Sequence, residues 1–327
     1  MEKRKILQYV AGLSGVFLAS GIYAAEVEQP ADSGQWVDKQ HNGVQKKING
    51  WAHGMDDWFG EPDPDNPATA NLRLILDSEW NKYDGVSYKP KVRGRVKLPT
   101  LEKKVSVVFG DESLDDAIYN ENHISPEVAQ EQENKKGFSR KQSRKDNASL
   151  AVRFSDFSES LSIENDIDLG IRSGRDLYVR WKAAKDWDLG NDYSTRLEQV
   201  YRYGIRSRHH ARTNWEVKYA PENKPMIANH LHAQYAHDKK SEQWTWGNSL
   251  YRQHDFDGNK RLNYGVYAGG DIDNSKPSLN SYGPFAGWRQ PVWKKWLFVQ
   301  TEVSYYNNKK LDRPHHVGTQ LRLEAVF

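Results

Sequence analysis

Lys89, Lys91, Arg93, Arg95 and Lys97 fall on alternate positions of "YKPKVRGRVKL", so an extended chain would carry five cations in one row. A row like this repels itself in a dry core and becomes useful where it faces water and anions. Tyr88, Val92, Val96 and Leu98 occupy the opposite face. Arg153, Arg180, Lys182, Arg196, Arg202, Arg206, Arg212 and Lys218 extend the positive set. Asp77, Glu79, Glu164, Asp166, Asp168, Glu198, Glu216, Glu302 and Glu324 supply the carboxylates. Two chemistries fit. The charged face could filter small polar solutes, with a bias toward anions set by the basic row. Alternatively, arginines and carboxylates could pair across an enclosed space and nearly fill it. Lys91, Arg93 and Arg95 sit mid-segment and are the candidates for a constriction.

Other chemistries find less material. Histidines occur at His209-His210, His230, His232, His254 and His315-His316. His230 and His232 would share one face of a strand, but no third metal ligand accompanies them, so neither a metal nor another cofactor is read here. A hydrolase needs a serine beside a histidine, and no motif singles one out, so the chain is read as a non-enzyme. The absence of cysteine excludes thiolate nucleophiles, thiolate metal sites and disulfides. Net charge is only +3, and no basic–aromatic array or phosphate-binding loop points to nucleic acid.

The elements that would hold the charges follow from periodicity. From Thr69 onward apolar and polar residues alternate, as in "NLRLILDSEW", "SLSIENDIDLGIR", "DLYVRWKA" and "ARTNWEVKY". Turn signals such as Asp84-Gly85, Ser173-Gly174, Gly190-Asn191 and Asp257-Gly258-Asn259 separate the runs. The pattern predicts an all-β chain of about fourteen antiparallel strands, or twelve if the runs near 226–236, 244–253 and 284–292 drop out. Residues 111–147 read as one long, mobile polar loop.

The N-terminal part is different. Glu2 to Lys5 precede an uncharged apolar stretch, Ile6 to Ile22, and Ile22-Tyr23-Ala24 suits a signal peptidase, so residues 1–24 read as a secretory signal peptide. Residues 25–68 read as a periplasmic segment. Val44, Ile48, Trp51, Met55 and Trp58 predict an amphipathic helix from Gly43 to Phe59. That helix could pack under the main domain, lie at a membrane surface or enter a lumen.

Period two suits both a soluble sandwich and a transmembrane barrel spanning residues 69–327, with opposite sides wet. Four features favour the barrel. The strands run to about ten residues, enough to cross a bilayer obliquely. Aromatic residues gather near strand ends, including Trp80, Tyr88, Trp187, Tyr193, Tyr219, Trp244, Trp293, Trp296, Tyr305 and Tyr306. Tight turns are expected to alternate with longer connections, and the signal peptide leads to the envelope. The last residues, "QLRLEAVF", place Leu321, Leu323, Ala325 and Phe327 on one face and stop on an aromatic. With the signal peptide and the strands of 69–327, this resembles the outer-membrane β-barrel proteins of Gram-negative bacteria. The resemblance implies a place in the outer-membrane bilayer and a C-terminal signal read by the barrel-assembly machinery.

Overall fold

The computed structural model describes residues 31–57, 67–100, 104–112, 137–155, 162–237 and 242–327. The signal peptide, Trp58, Phe59, Leu161 and most of the 111–147 loop lie outside the described residues. Two compact units divide the chain, residues 1–44 and 45–327, and the second contains all the strands.

Fourteen main strands follow one another. They are β1 (Thr69–Asn81), β2 (Gly85–Lys97), β3 (Val105–Gly110), β4 (Ser149–Ser155), β5 (Glu164–Arg172), β6 (Asp176–Gly190) and β7 (Tyr193–Gly204). The second half holds β8 (Arg208–Tyr219), β9 (Met226–His237), β10 (Glu242–Phe256), β11 (Lys260–Asp273), β12 (Ser281–Pro291), β13 (Leu297–Asn308) and β14 (Arg313–Val326). Each pairs antiparallel with its sequence neighbour, and β14 returns to β1, from Arg73 opposite Val326 to Asn81 opposite Gly318. The sheet is a closed barrel, which removes the exposed edges that fourteen strands would otherwise leave. The three uncertain runs are all strands. Phe327 extends the closing ladder: its N–H donates to the Leu72 carbonyl at 2.9 Å, and its carbonyl accepts from the Leu72 N–H at 3.1 Å.

The pleat sorts the side chains so that the usual burial rule is inverted. Leu74, Leu76, Leu150, Leu169, Val179, Leu250, Val266, Val303 and Leu321 are exposed on the outer face, while Asp77, Arg153, Asp168, Glu198, Glu302 and Arg322 are buried on the inner one. A water-soluble shell would lose the hydrophobic contribution of every outer residue; a hydrocarbon surround removes that loss. Aromatic residues ring both ends of the outer face. Tyr201, Tyr203, His209, Tyr235 and Trp244 group at the end where β1 finishes, the far end. Tyr193, Tyr219, Phe256, Trp288 and Trp296 group at the near end, the last beside Phe327. Tyr306 does not belong to a ring. It turns inward and packs against His316 with the two rings tilted by 50°. Polar outer-face residues satisfy one another, Thr213 with Gln199 at 2.6 Å and Asn229 with Asn248 at 3.1 and 2.9 Å.

Connection lengths do not alternate as expected. Three-residue turns at 82–84, 173–175 and 205–207 lie at the far end, and equally short ones at 191–192 and 257–259 lie at the near end. Asn191, Asp192 and Asn259 at the near end, and Ser173 and Gly174 at the far end, adopt positive φ, which lets tight turns close at both ends without longer loops. The exception is the 111–148 excursion at the far end, where β3 and β4 are short.

That excursion is partly ordered by the edge it uncovers. β3 pairs with β2 only from Arg93 to Lys97, which leaves the far half of β2 without a neighbour on that side. Gly110 ends β3 at φ +96, where an added Cβ would strike the Val92 carbonyl, and Asp111 N–H donates to that carbonyl at 2.7 Å. Asn147 closes the next gap: its Oδ1 accepts from Val92 N–H at 2.6 Å, and its Nδ2 donates to the Pro90 carbonyl at 2.8 Å. Gly137 and Phe138 then run parallel to Ser87 and Tyr88. A short helix, α2 below in chain order, spans Arg140–Asp146 with Ser139 as its cap. The loop prediction missed this helix because RKQSRKD contains no apolar residue, so periodicity gives no signal.

The N-terminal helix, α1, spans Ala31–Asp56, beginning well before the predicted Gly43. Ala52 is fully buried and, with Met55, packs against Ala68, Ala70, Val96 and Leu98. Val96 belongs to the outer face of β2, so this last turn lies outside the wall and does not enter the lumen. Asp56 fixes it, accepting from Thr100 N–H at 3.0 Å and from the Thr100 hydroxyl at 2.8 Å. Trp51, expected on the buried stripe, is exposed.

Candidate functional site

The inner wall from β14 through β8 is a lattice of ion pairs. Alternation forces the charges inward, and the strand stagger decides which ones meet. Asp77 receives Arg322 in a fork, at 2.6 and 2.9 Å, with Lys91 at 3.6 Å. Glu324 bridges Arg73 and Arg289, each at 2.7 Å. Asp168 takes Arg153 at 2.6 and 2.7 Å and Arg180 at 3.2 Å. Glu198 is held by Lys182 at 2.9 Å and by Asn214 at 2.9 Å, while Arg212 reaches Asn214 at 3.1 Å. Forked guanidinium–carboxylate pairs are the strong members of this set.

The two charges are not equally accessible. At three carboxylates, Glu324, Glu216 and Glu79, the acid lies against the wall and a longer cationic side chain arches over it. By contrast, Arg322 and Asp77 are buried alike, and Asp166 is more exposed than Arg153. Glu324 is 1% exposed, under Arg73 at 20% and Arg289 at 13%. Glu216 is 1% exposed beside Lys218 at 35%. Glu79 is 10% exposed beside Lys89 at 36%. Each such pair is a dipole with its positive end toward the enclosed space. The near rim is different: Glu164 and Asp186 stand exposed on either side of Arg196.

At the far end Glu112, which follows the turn at Gly110, reaches into the wall. It accepts from Arg202 at 3.0 Å and from the Ser149 hydroxyl at 2.9 Å, and that hydroxyl is 2.9 Å from the Tyr178 phenol. Burial opposes ionisation of Glu112, yet the charges of Arg202, Arg172 and Arg180 outweigh it and hold the carboxyl at about 2. In the neighbouring far-end turn Asp84 is also held below its ordinary value: burial resists, but hydrogen bonds from Arg313 and Asn81 prevail.

The inner wall of β9 to β12 is of another kind. Ala228, Tyr251, Tyr267 and Phe285 form a buried cluster there. Tyr267 lies over Gly247 and Gly269, since a Cβ at either glycine would run into its hydroxyl end, whereas a Cβ at Gly265 would meet the Leu250 carbonyl and the Tyr251 Cα and Cβ. The Tyr267 ring therefore lies flat along the wall instead of projecting across the lumen. His230 and His232 both point inward, 5.8 Å apart, and are buried. Among the described residues no group of three histidine or acidic side chains could hold a metal ion.

The predicted residues distribute as follows. Lys91, Arg180, Lys182 and Arg202 come together on the inner wall with Asp168 and their other carboxylates, and Arg93 is buried on the same face. Arg95 is held by Ser106 at 3.2 Å and Ser155 at 3.1 Å, two hydroxyls and, among the described residues, no carboxylate. Asp166 accepts from Ser155 at 2.6 Å. Lys97 departs from the row, because it ends β2 and is exposed at the near rim. Sequence reasoning missed Glu112, Ser149, Tyr178 and Arg172. Glu112 lies beyond a strand end, where alternation gives no signal.

No protein-family model matches the chain, and no curated protein matches it. Solved structures similar to it include OmpT, an outer membrane protein of Vibrio cholerae, in a loop-deletion form (7% identity, 80% of this chain and 99% of that one, TM-score 0.49). Others are OprB of Pseudomonas putida (10%, 80% and 92%, 0.44) and the outer membrane channel DcaP of Acinetobacter baumannii (8%, 82% and 99%, 0.43).

Proposed function

We propose that this chain is an outer-membrane channel that passes small polar solutes and prefers anions. The observation that carries the reading is the layering of three inner-wall carboxylates, which lie beneath guanidinium and ammonium groups. At Glu324, Glu216 and Glu79 an ion entering the lumen meets the positive end of the pair first, which attracts anions and repels cations. The apolar outer face between two aromatic rings supports residence in a bilayer. Export by the 1–24 signal peptide would bring the chain there, and Leu321, Leu323, Ala325 and Phe327 would be read by the barrel-assembly machinery on the last strand. Incorporation of purified protein into a planar bilayer should give discrete conductance steps. Replacing Lys91, Arg93 and Arg95 together by glutamine should weaken the preference for chloride over potassium; a preference unchanged by that replacement would count against the assignment.

A second reading, a barrel that serves envelope structure without conducting, is favoured by the close burial of Arg93, Arg153, Arg180 and Arg322. Fourteen strands leave modest room, and these side chains occupy part of it. A silent bilayer recording would select this reading. Catalysis has less support. The outer-face histidines lie against tyrosines, His209 with Tyr201 at 2.8 Å and His254 with Tyr264 at 3.3 Å, so transport is preferred to lipid hydrolysis.

A further inference from the structure

The far-end cluster of arginines contains more positive charge than the strands themselves balance. Arg180 and Arg202 stand directly opposite each other in register, an arrangement that like-charge repulsion disfavours. Asp168 offsets Arg180, but it is already forked to Arg153. Arg172 adds a third positive charge, opposite Ser149 on one strand and Asp176 on the other, whose carboxylate already accepts from the Arg206 and Ser207 N–H groups. The anion that completes the group, Glu112, comes from outside the strands, delivered by the turn at Gly110. Its carboxylate is surrounded as a bound solute would be: a guanidinium at 3.0 Å, a serine hydroxyl at 2.9 Å and a phenol behind that hydroxyl. Arg202, Glu112 and Tyr178 are each largely withdrawn from water. Charge-assisted bonds in such surroundings are strong and select a planar acceptor.

We propose that Arg172, Arg180, Arg202 and Ser149 form a binding site for small carboxylate solutes, and that Glu112 occupies it as a tethered stand-in. This deepens the channel reading, and rests on it for its physiological meaning: a carboxylate crossing the lumen would displace Glu112, bind, and release as Glu112 returns. A tethered group competes at an effective concentration in the millimolar range, so the site should favour passage over retention.

The test is calorimetric titration of the detergent-solubilised, folded barrel with succinate. Glu112→Gln should bind succinate about tenfold more tightly than the wild type, since the internal competitor is gone. Adding Arg202→Gln should abolish that gain. Equal affinity in the wild type and Glu112→Gln would overturn the proposal. Inorganic phosphate binding as tightly as succinate would overturn its assignment to carboxylates. Heat-modifiable gel mobility reports whether Glu112→Gln is folded. If it is not, Ser149→Ala in the wild-type background should weaken succinate binding severalfold, and unchanged binding there would overturn the proposal as well. Binding in micelles does not require conduction, so a barrel that failed to conduct could still pass this test, and a conducting barrel could fail it.

Discussion

Two arcs of one inner wall solve the same problem differently. From β14 through β8 the interior is filled with long charged side chains, held by forked pairs such as Arg322–Asp77 and Arg153–Asp168. From β9 to β12 it is finished with Tyr267 laid flat over Gly247 and Gly269. At Glu324, Glu216 and Glu79 the first arc projects cations over sunken carboxylates; the second keeps its bulk against the wall. Selectivity can be concentrated on one side of a lumen while the other side provides room.

The contrast can be broken most forcefully in the charged arc. Asp168→Asn removes the carboxylate shared by Arg153 and Arg180 and should cost about 3–5 kcal/mol, the usual penalty for stripping one partner from a buried pair. Thermal unfolding of the detergent-solubilised barrel measures it; a loss below about 1 kcal/mol would mean that the pairs are solvated and weak. In the other arc Gly269→Ala should cost about 1–3 kcal/mol by forcing the Tyr267 ring off the wall. It should also reduce conductance, because the displaced ring would enter the lumen.

Acidification sharpens the comparison at the far end. The carboxyl of Glu112 is lowered from its ordinary 4.5 to about 2, so its contribution to stability is complete above 4.5 and fades as the pH falls toward 2. The difference in unfolding temperature between the wild type and Glu112→Gln should be constant from pH 7 to 5 and shrink below 4.5. A gap that grew on acidification would contradict the ion pairing of Glu112. The smallest effect belongs to Tyr267→Phe. The Tyr267 hydroxyl is buried without a hydrogen-bond partner among the described residues, so its removal should not destabilise the barrel and should raise its stability by about 1 kcal/mol, read by the same thermal unfolding.

The legibility of the two arcs differed for a physical reason. A strand such as β2 announces itself because Lys89 to Arg95 alternate with Tyr88 to Val96, and wall contacts follow from period two alone. The inward glycines Gly247, Gly265 and Gly269 carry no side chain to alternate. Gly247 makes room for Tyr267 of the adjacent strand, Gly269 for the same tyrosine within its own strand, and Gly265 for the backbone beside it, so their role emerges only with the register. Fourteen strands and the closing role of Phe327 could be read from the chain. The extent of α1 could not, because its buried contact is Ala52 and the larger Trp51 faces outward. Nor could Glu112, whose partners come from β4 and β7, far along the chain.

The account stands or falls on which charge meets the enclosed water. Reversal potential across a planar bilayer, with a tenfold potassium chloride gradient, reads that directly. The layered wall predicts a potential displaced toward the chloride equilibrium value, falling back toward zero as salt screens the pairs. A potential displaced toward the potassium value would contradict it, showing carboxylates, and not arginines and lysines, at the water-facing surface of the lumen.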